Sequence, residues 1–145
     1  MSRLVSALTV AAVAATAFYT TAGAQEAART VTQGVYTAEQ AARGEPLYKE
    51  QCASCHGEML EGSGPMPPLV GPDFAKNWQG KTVAELFEKT HSSMPATAPG
   101  SLTEQQTADI LAYIFSVAKY PAGTTELQVT AEPLKAITLD APPQE

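Results

Sequence analysis

Three stretches of the 145-residue chain repeat apolar residues at helical spacing, and each is opened by a Thr followed three residues later by Glu or Gln. Thr37-Ala38-Glu39-Gln40 starts the first, a helix predicted from Ala38 to about Ala53, with Ala41, Gly44, Tyr48, Cys52 and Cys55 on one face. Thr82 and Glu85 open a shorter helix to about His91, with Val83, Leu86 and Phe87 turned inward. Thr103 and Gln106 open the last, from about Glu104 to Lys119, carrying Ile110, Leu111, Tyr113, Ile114, Phe115 and Val117. Pro121 and Gly123 stop it. Between the first two helices, Gly57 to Lys76 is dense in Gly and Pro and reads as loop. Ser92 to Ser101 reads as a second loop, with Pro95 and Pro99-Gly100. No strand pattern, internal repeat or heptad is visible. The predicted class is all-α, with a few helices and long irregular connections. Loops of that length in a small domain call for an explanation, and a large apolar cofactor wrapped by them is one.

The ends of the chain follow different rules. Residues 1–24 hold Arg3 and no acidic residue, then a run from Leu4 to Phe18 that is apolar apart from Ser6, Thr9 and Thr16. Ala22-Gly23-Ala24 is an A-x-A site, so a secretory signal peptide with cleavage before Gln25 is expected. The run is shorter than the roughly 20 residues a membrane span needs, and stable membrane insertion after processing is not expected. Residues 25–36 form a polar lead-in, 37–123 the domain, and 124–145 an extension that is either disordered or wraps the domain. Its composition leans toward disorder. Net charge is −6; without the leading segment it is −7, eight basic against fifteen acidic residues. Such a balance argues against nucleic acid and anionic lipid as partners and suits a protein partner with a basic or neutral patch.

Only two cysteines are present, and they sit in Cys52-Ala53-Ser54-Cys55-His56, the C-x-x-C-H pattern of covalent haem attachment. On a helix, residues i and i+3 share a face with Cβ atoms about 5–6 Å apart, which lets two thiols reach two vinyl groups of one porphyrin. His56, at i+4 from Cys52, then turns toward the iron. Three other uses of the motif are weaker. A zinc site built with His91 would have to close one tetrahedron around the adjacent Cys55 and His56. A thioredoxin-like thiol pair needs a preceding strand. A disulfide across so short a loop stabilises little.

A sixth ligand would leave the iron no open position and favour electron transfer over catalysis. Met59 lies too close to His56 to cross the ring, and Met66 sits in a Pro-rich segment that must first pass its edge. Met94 lies 38 residues beyond His56, in a loop followed by Pro95, and has the chain length to cross over. His91 is the runner-up. A carbonyl of Pro67 or Pro68 is a candidate acceptor for the second imidazole N–H, and the single tryptophan, Trp78, for donation to a haem propionate.

From Thr37 to Gly123 the chain resembles the small class I cytochromes c. Gly44 and Tyr48 before the haem motif are similar to their N-terminal helix, Pro67-Pro68-Leu69 to their Pro-x-Leu loop, and Asp109 to Ile114 to their C-terminal helix. The resemblance implies three to four helices and long loops around one covalently bound haem c. It also implies His56 and Met94 as axial ligands, and terminal helices crossing near Gly44. Gly71-Pro72-Asp73-Phe74 with Trp78, Ser93-Met94-Pro95, Pro99 to Leu102 and Tyr120 to Gly123 are most similar to cytochrome subunits serving pyrroloquinoline-quinone dehydrogenases. The function implied is a periplasmic one-electron carrier and not an enzyme. It would take electrons from a dehydrogenase and pass them to an oxidase or another cytochrome of the respiratory chain. A haem enzyme or gas sensor with a displaceable distal ligand is the alternative.

Overall fold

The computed structural model describes residues 28–142. The signal-peptide reading of residues 1–24 therefore lies outside the described residues. In chain order the elements are β1 (Arg29–Thr30), α1 (Ala38–Gln51), α2 (Ala53–His56), α3 (Gly71–Trp78), α4 (Val83–Ser93), α5 (Glu104–Val117), α6 (Ala131–Leu134) and β2 (Ile137–Thr138). The domain is mostly helical and wrapped by loops.

The centre of the fold is the crossing of α1 and α5. Gly44 lies where the two backbones touch: a Cβ there would come within 1.8 Å of the Asp109 carbonyl oxygen. One turn on, the rings of Tyr48 and Tyr113 pack with centroids 5.4 Å apart. Beside the crossing, Arg43 makes a bidentate pair with the buried Asp109, both N···O distances 3.1 Å, and reaches Glu126 at 2.8 Å. Thr37 caps α1 by accepting from the Gln40 N–H, but Gln40 does not complete the reciprocal box. Its buried amide instead pairs with the Leu127 backbone, accepting from N–H at 2.7 Å and donating to the carbonyl at 3.0 Å. Around Thr82 and Thr103 both halves of the capping box form.

Three elements depart from the expectation. The Gly/Pro-rich loop contains α3, because Pro72 sits in its first turn, where a missing N–H costs nothing, and Phe74 and Trp78 share a face one turn apart. The lead-in is not idle: Val31, Val35 and Tyr36 are buried, and Arg29–Thr30 pairs in parallel with Ile137–Thr138. The extension wraps the domain through Pro142, burying Leu127, Leu134, Ile137 and Leu139. Composition misleads there because a few well-spaced leucines suffice to dock a strap onto an existing core. The two ends are stitched where Gly34, at φ 70°, meets Gly123: a Cβ on Gly123 would lie 2.1 Å from the Gly34 oxygen.

Candidate functional site: a sulfur- and imidazole-lined cleft

Beside the α1–α5 crossing lies a cleft enclosing about 1150 Å³ of atom-free space, its open mouth included. Cys52, Cys55, His56 and Met94 all line it. Apolar side chains make up most of the rest of its wall, Leu69 and Phe74 with Trp78, then Leu86, Ile110 and Ile114, with Gln51, Asn77, Lys89 and Thr90 among the polar ones. Met66, Pro67 and Pro68 line it as well, and Met59 is outside it, 73% exposed.

The motif is presented by a break in the helix. Cys52 leaves helical geometry at ψ −36° and φ −124°, and α2 restarts as a single turn over Ala53–His56. The Cys55 and His56 N–H groups both return to the Cys52 carbonyl, at 3.1 and 2.9 Å. Gly57 ends the turn at φ 82°, and its carbonyl accepts from the Tyr48 hydroxyl at 2.8 Å. The loop that follows is ordered around His56. The Gly62 N–H reaches the His56 carbonyl at 2.8 Å, Leu60 is fully buried, and a tight turn joins Ser63 to Met66. It delivers the Pro67 carbonyl to 2.8 Å from His56 Nδ1. Nδ1 is then the protonated nitrogen, and the Nε2 lone pair is left for a metal.

Met94 enters the cleft from another element. It is the C-cap residue of α4, half-buried, its N–H bonded to the Thr90 carbonyl at 3.0 Å. Trp78 comes from the end of α3, half-buried, its ring 6.2 Å from that of Phe74 and 4.9 Å from the Lys81 ammonium. His91 lies elsewhere: it stacks on Phe87 at 5.9 Å and approaches the Thr107 hydroxyl through Nδ1 at 3.3 Å. Asn77 and Lys89 are among the polar lining residues that no motif announces. Lys89 was findable, since it stands three residues after Leu86 on the same helical face.

The chemistry of these groups separates the possible uses. Burial pushes the Cys52 thiol up to about 11, with Cys55 adding to the effect, which disfavours a thiolate at Cys52. Among the described residues no cluster of three or more His, Cys, Asp or Glu side chains could hold a metal ion by itself. A largely apolar cleft with two thiols, an imidazole lone pair and a thioether fits a haem, whose ring the leucines, isoleucines and aromatics would keep from water.

Residues 39–114 match the family described as cytochrome c oxidase, cbb3-type, subunit III. The chain belongs to that family. It is accordingly a cytochrome c, a haem-binding domain that carries electrons. No curated protein matches the chain. Among solved structures it is similar to a chain of the sulfane dehydrogenase SoxCD from Paracoccus pantotrophus, with 22% identity and a TM-score of 0.56. The match covers 79% of this cytochrome and 61% of that chain, so the likeness is one of fold and spans about three fifths of the neighbour.

Proposed function

We propose that this cytochrome is an exported, periplasmic carrier of single electrons, in which Cys52 and Cys55 hold one haem covalently and His56 and Met94 ligate its iron. The observation that carries this reading is the convergence of both thiols, the imidazole and the Met94 thioether on one apolar cleft. Each thiol adds across one vinyl group, sulfur to one carbon and hydrogen to the other, so attachment consumes no oxidant. The Pro67 carbonyl fixes the His56 ring and its tautomer. Met66 and Met94 both line the cleft; Met66 directly precedes Pro67, whose carbonyl meets the His56 ring, whereas Met94 arrives separately from α4 and would be the one to ligate the iron opposite His56. Trp78, which lines the cleft, would donate its indole N–H to a propionate of the bound haem. Bound haem supplies a one-electron iron couple, and a thioether ligand favours the reduced state.

The electron donor is a periplasmic dehydrogenase, of the quinoprotein type on the likeness of the loop motifs, and the acceptor is an oxidase or another cytochrome. Two comparisons support that placement: the family takes its description from an oxidase subunit, and the structural neighbour is part of a dehydrogenase. The charge of −7 beyond residue 24 suits partners that dock through a basic or neutral surface.

Met94→Ala tests the reading. The parent protein should show a sulfur-to-iron charge-transfer band when oxidised and bind carbon monoxide slowly when reduced. The variant should keep its haem, lose the band, bind carbon monoxide rapidly and show a lower reduction potential. Unchanged spectra and potential would mean that another residue ligates the iron. Rapid carbon monoxide binding by the parent would favour a haem enzyme or gas sensor instead.

A further inference from the structure

The wall of the cleft that carries Met94 has an anchorage of its own. It consists of α3, which supplies Phe74 and Trp78, and α4, which supplies Leu86, Lys89 and, at its end, Met94. A short turn joins the two helices, and the C-terminal strap bonds to that turn through backbone groups. The Gly80 N–H donates to the Leu139 carbonyl at 2.8 Å, and the Leu139 N–H donates to the Lys81 carbonyl at 2.8 Å. Thr82 makes an antiparallel bridge with Thr138. Further along, α6 packs on α4, with Leu134 fully buried and Leu139 2% exposed. The strap is itself pinned to the rest of the domain by Gln40 on Leu127 and by β1 on β2. Asp140 adds a third attachment: its carboxylate accepts from the Thr32 hydroxyl and backbone N–H, and its carbonyl from the Tyr120 hydroxyl.

We infer that residues 127–140 brace the α3–α4 wall and through it hold Met94 at the haem, with Leu134 and Leu139 as positioning residues. This rests on Met94 being the sixth ligand. The physical reason is a division of labour between the two walls. The cysteines and His56 are fixed by the α1–α5 crossing and the Pro67 loop, neither of which uses the strap's contact with the α3–α4 turn. Truncating Leu134 or Leu139, on the part of the strap that meets α4 and the α3–α4 turn, removes support from that wall and leaves the Gln40–Leu127 pairing on α1 in place. Because α4 also packs on α5, the wall relaxes without detaching from the domain. The thioether should then leave the iron in a partly opened population while the haem stays tethered and the domain stays folded.

The test uses the full-length haem-loaded protein and compares Leu134→Ala with Gly44→Ala, which strains the other wall. Leu134→Ala should retain covalent haem by mass, weaken the charge-transfer band, and bind carbon monoxide in the reduced state about tenfold faster than the parent. Gly44→Ala should lose as much melting temperature or more, yet keep the band and the slow binding. Should Leu134→Ala fail to fold, Leu139→Val carries the same comparison with a smaller truncation. A strap variant that loses melting temperature but binds carbon monoxide no faster than Gly44→Ala overturns the brace. A parent that lacks the band, or binds carbon monoxide as fast as Met94→Ala, overturns the Met94 reading itself and the brace with it.

Discussion

On the His56 side of the cleft, the residues that matter are close together in the chain. The cysteines and imidazole occupy one turn, and the carbonyl that orients the ring comes eleven residues later. On the Met94 side, the sulfur sits at the end of α4 and its support comes from Leu134, Thr138 and Leu139, forty or more positions further on. The first arrangement is local and dense, so it forms with little loss of chain entropy. The second depends on a long closure. A carrier of electrons needs a fixed proximal attachment to keep its cofactor, and a distal ligand whose hold sets the potential and whether the iron is open. The two walls divide those tasks.

The largest expected effect breaks the first wall outright. Replacing Cys52 and Cys55 together by alanine should abolish covalent haem, and the domain should lose its stable fold, because the apolar cleft would face water unfilled. Mass spectrometry and circular dichroism of the purified product check this; a well-folded colourless double variant would show that the cleft does not depend on its cofactor. Gly44→Ala comes next. Its new methyl meets the Asp109 carbonyl, backbone against backbone, and should cost about 3 kcal/mol, measured by thermal or denaturant unfolding.

The smallest effect sharpens the second wall at the start of α4. Thr82→Ala removes the N-cap hydroxyl that accepts from the Glu85 N–H at 3.2 Å and should cost about 1 kcal/mol. The same box holds the Glu85 carboxyl below its usual 4.5, through the Thr82 backbone N–H first and then its hydroxyl. A depressed carboxylate stabilises the fold above its unfolded value and stops doing so as pH falls through the lower folded one. The stability gap between the parent and Glu85→Gln should therefore be present at neutral pH and fade in acid below 4.5. A gap that widens in acid would reverse the sign of that coupling.

The difference between the walls also explains how much could be read from residues alone. Cys52, Cys55 and His56 stand out because covalent haem attachment demands that spacing, and the structure brings all three to one cleft; Gly44 with Tyr48 falls on the same periodic face. The three capped helices are visible because each start signal is local. The helix α3 was hidden by Gly71 and Pro72, which read as loop although proline is at home in a first turn. The strands β1 and β2 span two residues each, too short to show alternation. Leu127, Leu134 and Leu139 follow neither helical nor strand spacing, because the strap is part extended and part single-turn helix, and its burial is decided by the surface it lands on. Gln40 looked like half of a local box, but a buried amide that can donate and accept found a backbone partner 87 residues away.

The pairing of Arg29–Thr30 with Ile137–Thr138 has a consequence for how the domain comes into being. A polypeptide threaded or synthesised from its leading end offers β1 first and β2 last, with nearly all of the domain between them. The α1–α5 crossing and the haem motif are complete by residue 117, before the strap has emerged. Assembly thus has a latch that can engage only when the trailing residues arrive, and a chain truncated late would hold a cofactor but lack its fastening.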